Sequence, residues 1–285
     1  MTTFNLVVQT PALTGELIEQ ISAIAEASGV RRLGTTAARL LGVNDSAEIR
    51  DEVLAWGERN HVDTAFIQSG TRLSDCKVLA MDMDSTLINI ECIDEIADFG
   101  GVKKEVASIT EAAMRGEIKD FSESLIKRVA FLKGLSTEVL QSVYEQRLQL
   151  NPGAEQLVKQ AQQAGIRVLL VSGGFTFFTE KLKARLQLDA AHANVLESVD
   201  GKLTGSVLGR ILDAQGKADT LKSFAAECDA QAHQIIAIGD GANDLKMLAN
   251  AGYSVAYRAK AVVRAQAKYA LNVAPLDGVL NWFEA

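Results

Sequence analysis

The stretch Val78-Leu79-Ala80-Met81-Asp82-Met83-Asp84-Ser85-Thr86-Leu87 decides the fold. Its first four residues form a short apolar run that ends in a carboxylate, and a second carboxylate follows two positions later. A run this short and apolar reads as a strand. Two more of the same kind lie downstream. Residues 166–171 end in Ser172-Gly173-Gly174, and residues 235–238 end in Gly239-Asp240. Helical stretches separate the runs, which is the order of a mostly parallel α/β sheet. All three deliver polar residues at their C-terminal ends, where open sheets of this kind bind ligands.

Between the first and second runs, residues 92–150 show helical periodicity, in 102–111, 121–133 and 139–147, and no clear strand. So long and structured an insertion is not a loop, and it predicts a helical cap over the site. Gly100-Gly101 predicts a hinge, because two consecutive glycines absorb large backbone changes. Asp200-Gly201 predicts a hairpin turn. Upstream, Phe4, Leu6 and Val8 alternate with polar neighbours like a half-buried strand. Leu17, Ile21, Ile24 and Ala25 then share a helix face, with Gly29 as the expected C-terminal cap. A hairpin over 30–41, a helix through Ile49, Val53, Leu54 and Trp56, and a strand over 62–67 follow. This β-α-β-β-α-β order is ferredoxin-like and resembles an ACT-type regulatory module. The expected fold is α/β: a parallel Rossmann-like sheet with a helical cap inserted after the first core strand, plus an N-terminal ferredoxin-like (ACT-like) α+β domain. Residues 1–72 form the N-terminal domain and 73–285 the second, with the cap at about 92–150.

Composition narrows the function classes. Apolar residues make up 48% of the 285, with only 3 Pro, which suits a folded, helix-rich globule. The net charge of −7 gives a nucleic-acid or acidic-membrane partner no general electrostatic help. Residues 1–10 lack the features of a signal peptide, and no apolar run approaches membrane-spanning length. The expected protein is soluble and cytoplasmic, and binds neither nucleic acid nor membrane. Cys76, Cys92 and Cys228 form no Cys-x-x-Cys pair and read as reduced, structural thiols. His61, His192 and His233 stand alone, without a second ligand at metal spacing.

The chemistry concentrates at the strand ends. A carboxylate at Asp82 can attack phosphorus while Asp84 supplies or removes a proton. Two acidic residues there also suit an ordinary solvated turn. The Ser172 hydroxyl and neighbouring backbone N–H groups suit a phosphate oxygen, with Gly173 permitting close approach, although Ser-Gly-Gly is a common turn. Lys217, ahead of a helix carrying Leu221, Phe224 and Ala225, can offset repulsion between phosphate and nucleophile. A lone lysine is more often a surface residue. Asp240 and Asp244 bracket a Gly-containing turn and can aim two carboxylates at one magnesium ion. Asp244 stands where a dinucleotide-binding loop would need its third glycine.

The order Asp, Ser, Lys, Asp-Asp resembles that of the haloacid dehalogenase phosphatases from about Lys77 onward. The resemblance implies an aspartyl-phosphate on Asp82, general acid–base work by Asp84, and a phosphoryl group held by Ser172 and Lys217. It also implies Mg2+ bound by Asp82, Asp240 and the backbone oxygen of Asp84, with Asp244 and Asn243 in support. The stretches 82–95, 113–117 and 124–129 follow the pattern of the phosphoserine phosphatase family. By that likeness Glu91 meets the ammonium of phosphoserine, Arg128 its carboxylate, and Met114 and Phe121 form an apolar wall. Bland alternatives exist: Glu91 could merely favour a helix N-terminus, and Arg128 could be a solvated base beside Lys127. Phosphothreonine or phosphohomoserine hydrolysis, or phosphoryl transfer between alcohols, remain open. So does an amino-acid-sensing regulatory protein. Amino-acid binding or homodimer formation by the N-terminal module stays open as a secondary role.

Overall fold

The computed structural model describes residues 3–114, 118 and 120–284, with residues 113 and 114 as backbone only. The chain opens with β1 (Phe4–Gln9), α1 (Gly15–Ile24), β2 (Gly29–Arg32), β3 (Ala37–Val43), α2 (Ala47–Asn60) and β4 (Asp63–Gln68). These strands pair antiparallel in the order β2-β3-β1-β4. Thr14 and Ser46 start the helices, each accepting a backbone N–H three residues on. Leu6 and Val8 meet Ile18 and Ile21 of α1 and Val53 and Trp56 of α2 in one apolar cluster. Gly29 does not cap α1. The helix ends at Ile24, Glu26 makes the reversal at φ 51°, and Gly29 opens β2. Strand pairing has begun by then, because Ser28 N–H already donates to Leu41 O at 2.9 Å.

The alternation expected of β1 also fails, because β1 is buried on both faces. Val7 joins Ala65 and Ile67 in the main core of the molecule, together with Trp282 and Phe283. Polar groups tie this face down. The Asp63 carboxylate accepts the N–H groups of Asn272 (2.8 Å), Val273 (2.9 Å) and Ala274 (2.7 Å). Buried Arg39 donates to Asn281 O at 2.9 Å and Phe283 O at 2.7 Å.

The larger sheet starts with β5 (Val78–Met81) and is interrupted by a helical block, α3 (Cys92–Phe99), α4 (Lys103–Met114), α5 (Phe121–Ala130) and α6 (Glu138–Gln146). It resumes with α7 (Ala154–Gln163), β6 (Arg167–Phe175), α8 (Thr176–Leu186), β7 (Ala190–Val199), β8 (Lys202–Leu208) and α9 (Ala214–Glu227). The last elements are β9 (Ile235–Gly239), α10 (Leu245–Leu248), β10 (Tyr253–Tyr257), α11 (Ala261–Arg264) and β11 (Tyr269–Leu271). Strand order is β11-β10-β9-β5-β6-β7-β8, parallel except for β8 against β7. The first strand in sequence is thus central, and β9 and β6 flank it. All four residues of β5 are fully buried, as a central parallel strand requires. β10 and β11 are short and carried no signal of their own in the sequence.

Asp200 and Gly201 both take left-handed backbone, φ 49° and 74°, in the two-residue turn joining β7 to β8. The tip of this hairpin holds the helical block: Gly134 N–H donates to Leu203 O and Thr137 N–H to Gly201 O, both at 2.8 Å. Gly100 ends α3 and Gly101 leads to α4, so this pair joins two helices within the block rather than the block to the sheet. A Cβ on Gly100 would collide with Leu135. Among the described residues no helix is long and apolar enough to cross a membrane.

The Asp63 carboxylate satisfies three N–H groups at once. Replacing it by Ala should therefore cost about 3 kcal/mol of unfolding free energy, measured by urea titration. An unchanged midpoint would mean the contact between the two sheets contributes nothing.

Candidate active site

Asp82 follows β5, Ser172 lies in β6 and Asp240 follows β9, so adjacent strands bring all three to one edge. Ser172-Gly173-Gly174 lies within the extended segment of β6 rather than beyond it, where pairing with β7 is irregular between Val171 and Phe175. Asp213 caps α9 by accepting Gly216 N–H at 2.8 Å, and the helix carries Lys217 inward. Lys217 is completely buried, with Nζ 2.7 Å from Asp82 Oδ1 and 2.7 Å from Asp244 Oδ1. The other Asp244 oxygen accepts the N–H groups of Asp240 (3.2 Å) and Gly241 (3.0 Å). Asp82 Oδ1 also accepts Met83 N–H at 2.7 Å.

The turn after Asp82 is unusually wide. Leu87 N–H reaches back to Asp82 O and Ile88 N–H to Met83 O, five residues each, with Ser85 left-handed at φ 56°. Asn151, where the chain returns from the helical block, donates to Thr86 O at 2.8 Å and Ile88 O at 2.9 Å and so fixes this turn. Thr86 in turn donates its hydroxyl to Asp240 Oδ1 at 3.2 Å. Gly173 and Gly174 are required by close approach: a Cβ would lie 2.7 Å from the Phe121 ring and 2.9 Å from Asp84 Oδ2, respectively. Asn194 holds that strand by donating to Gly173 O at 2.8 Å.

A cavity of about 860 Å³ separates the sheet edge from the helical block. Asp82, Asp84, Ser172, Gly173, Asp240 and Asn243 line its floor, and Glu91, Phe121 and Arg128 line the side formed by the block. Lys217 and Asp244 lie behind the wall. Glu91 occupies the N-cap position of α3 yet makes no capping bond, and instead accepts the Ser85 hydroxyl at 2.7 Å. That bond ties Glu91 to the turn after Asp82, while its carboxylate still stands at the N-terminus of α3. Arg128 faces the cavity with, among the described residues, one hydrogen bond, to Ser124 O at 3.4 Å, while neighbouring Lys127 is exposed and pairs with Glu123 at 2.6 Å. The Met114 side chain and residues 115–117 lie outside the described residues.

Crowded carboxylates set the electrostatics. Burial, then the charge of Asp244, pushes the Asp82 carboxyl well above its ordinary range, against the pull of Lys217. Burial and Glu91 push Asp84 up to about 8. Burial, Asp244 and Glu91 push Asp240 up to about 6. Burial lowers the Arg128 pKa, opposed by Asp94, Glu91 and Asp84. For Lys217, burial favours the neutral form, but Asp244 and Asp82 outweigh it and the ammonium is held more firmly than usual. Carboxylate oxygens of Asp82, Asp240 and Asp244 lie within 4.8 Å of one another, a cluster of hard oxygen donors that fits a small divalent cation. The Asp84 carboxylate stands apart from that cluster and accepts Cys92 N–H at 3.4 Å.

With this geometry in view, the comparisons with known proteins are decisive. The haloacid dehalogenase-like hydrolase family matches residues 79–249. The chain is a haloacid dehalogenase-like hydrolase. Residues 6–53 of the hydrolase match a domain of unknown function (DUF4072). A phosphoserine phosphatase of Polaromonas sp. (strain JS666) is 54% identical over 214 residues, 74% of this chain and 91% of the relative. The crystal structure of a probable phosphoserine phosphatase from Vibrio cholerae superposes with TM-score 0.83 at 37% identity, covering 98% of this hydrolase and 86% of that chain. A phospho-aspartyl intermediate analogue of a phosphoserine phosphatase superposes with TM-score 0.68 at 39% identity, covering 73% and 99%.

Sequence reasoning missed Thr86, Asn151, Asn194 and Asp94. The first three act through hydrogen bonds to residues far along the chain, for which a local pattern holds no signal.

Without metal, a raised carboxyl group binds its proton more tightly in the folded than in the unfolded chain. Its stabilisation is complete below the unfolded value, near 4, and is lost as pH rises through the folded value. With Asp240 at about 6 and Asp84 at about 8, melting temperature in chelator should fall between pH 5 and pH 8. Magnesium chloride should raise it more at pH 8 than at pH 5, and Asp240→Asn should remove most of that rise. Equal magnesium effects at both pH values would contradict the clustering.

Proposed function

We propose that the chain is a magnesium-dependent phosphoserine phosphatase, converting O-phospho-L-serine to L-serine and phosphate through an aspartyl-phosphate on Asp82. One observation carries the substrate assignment. Across one cavity from the Asp82–Lys217–Ser172 group stand an acid, Glu91, and a base, Arg128, neither of them committed to a salt bridge among the described residues. A free amino acid presents one cation and one anion, and Arg can grip the carboxylate with two hydrogen bonds. The relatives support the same assignment.

Met83 N–H and Lys217 both hold Oδ1 of Asp82, which leaves Oδ2 to attack phosphorus. Burial and Glu91 raise the Asp84 carboxyl, which suits it to hold the proton that it gives to the departing seryl oxygen. The resulting carboxylate then takes a proton from the water that attacks the aspartyl-phosphate. The Ser172 oxygen accepts Gly174 N–H at 2.9 Å, so its own hydrogen is free for a phosphoryl oxygen. Asn243 adds an amide on the same floor, and Lys217 balances the negative charge of the nucleophile. Phe121 lies over Gly173 and gives the cavity an apolar wall. Asp82, Asp240 and the backbone oxygen of Asp84, with Asp244 in support, would hold magnesium, which would supply positive charge where phosphoryl transfer needs it. The helical block acts as a cap over these steps, limiting water.

We also read residues 1–72 as a ferredoxin-like, ACT-like domain and 73–285 as the catalytic domain. The connection β-α-β-β-α-β and the strand order β2-β3-β1-β4 support the first reading.

Phosphate release from L-phosphoserine should require magnesium, and Asp82→Asn should abolish it. Arg128→Ala should lower kcat/KM for phosphoserine about a hundredfold, as expected for a lost charge-assisted pair, and leave an aryl phosphate nearly unaffected. Equal losses on both substrates would show that Arg128 does not read the carboxylate.

A further inference from the structure

The cavity wall is acidic. Among the described residues seven carboxylates line it against three cations, Arg128, Lys246 and Lys260. The substrate proposed above adds a phosphate of nearly two negative charges at neutral pH. Lys217 is already committed, 2.7 Å from each of two carboxylates, and Arg128 stands on the helical block. On the phosphate side the cations facing the cavity are therefore Lys246 and Lys260.

These two differ in their commitments. Lys246, in α10, donates to Gln215 Oε1 at 3.1 Å, and Gln215 donates onward to Asp219 at 2.8 Å. Lys260 has its backbone fixed next to the metal cluster, donating N–H to Asp240 O at 3.2 Å. Its ammonium has no hydrogen bond or ion pair among the described residues. It also holds the N-cap position of α11 without a capping bond. Lysine is a poor choice there, since Ser, Thr, Asp or Asn would satisfy the free N–H groups. Its carbonyl starts the helix by accepting the N–H groups of Val263 (2.9 Å) and Arg264 (3.1 Å), but its side chain adds no cap, while its charge opposes the acidity of the wall.

We infer that Lys260 is a specificity residue that pairs with the phosphate group, both of arriving substrate and of departing inorganic phosphate. Its ammonium sets the affinity of the site for the dianion, and Lys246, tied to Gln215, contributes less. This rests on the phosphoserine reading for its substrate but not for the phosphate contact itself.

The test compares full-length native protein with Lys260→Gln, Lys260→Arg and Lys246→Gln, with Lys222→Gln on the exposed side of α9 as control. KM for L-phosphoserine and inhibition by inorganic phosphate are measured with magnesium at low and high sodium chloride. Lys260→Gln should raise both KM and the phosphate inhibition constant about fivefold at low salt, with the difference shrinking at high salt. Lys260→Arg should restore most of the affinity, Lys246→Gln should shift it less, and Lys222→Gln should match the native protein. Native values for Lys260→Gln at low salt would overturn the inference. So would a loss that salt does not change. If the native chain cleaves an aryl phosphate but not phosphoserine, the phosphoserine reading fails. Phosphate inhibition of the aryl reaction then still decides the role of Lys260.

Discussion

Lys217 between Asp82 and Asp244 is the contact on which the rest of the site depends. Gathering carboxylates at adjacent strand ends is costly, because each is buried and each repels the others. A fully buried ammonium 2.7 Å from two of them offsets that cost and fixes the position of α9 relative to β5 and β9. Removing one member of such a group leaves a buried charge unpaired, which is far worse than never having formed it. The pairing also orients Asp82, the proposed nucleophile, because Lys217 and Met83 N–H both approach the same oxygen of its carboxylate.

The substrate end depends on a second constraint. The wide turn at Met83–Leu87 must hold its shape while the chain leaves for the helical block and returns at Asn151. Asn151 closes that excursion by bonding to carbonyls on the outgoing strand of chain. The same turn places Ser85 against Glu91 and Thr86 against Asp240, so block and sheet are registered through one short segment. Contacts from the β7–β8 hairpin to residues 134–137 register the far side of the block. The N-terminal sheet is likewise part of the whole, since Asp63 and Arg39 hold the C-terminal segment.

What could be read from sequence follows from range. Asp82, Ser172 and Asp240 were legible because an apolar run ending in a polar residue is a local pattern, and a parallel sheet brings such ends together. Glu91, Arg128 and Lys217 were legible only through family likeness, since isolated charged residues give no sign of the side they face. The sequence hid contacts such as Asn151 to Thr86 and Asn194 to Gly173, which no local periodicity records. It also hid the second buried face of β1, whose partners lie at the opposite end of the chain. Gly29 misled because a glycine after a helix resembles a cap, whereas here cross-strand pairing had already begun at Ser28.

The central claim is that Asp82 carries the phosphoryl group during turnover. The most direct measurement is rapid acid quench of the magnesium-loaded protein with L-phosphoserine, followed by borohydride reduction and peptide mass spectrometry. The account predicts homoserine at position 82, the product of reducing an aspartyl-phosphate, and aspartate unchanged at 84, 240 and 244. Reduction at another carboxylate, or none despite ongoing turnover, would contradict it.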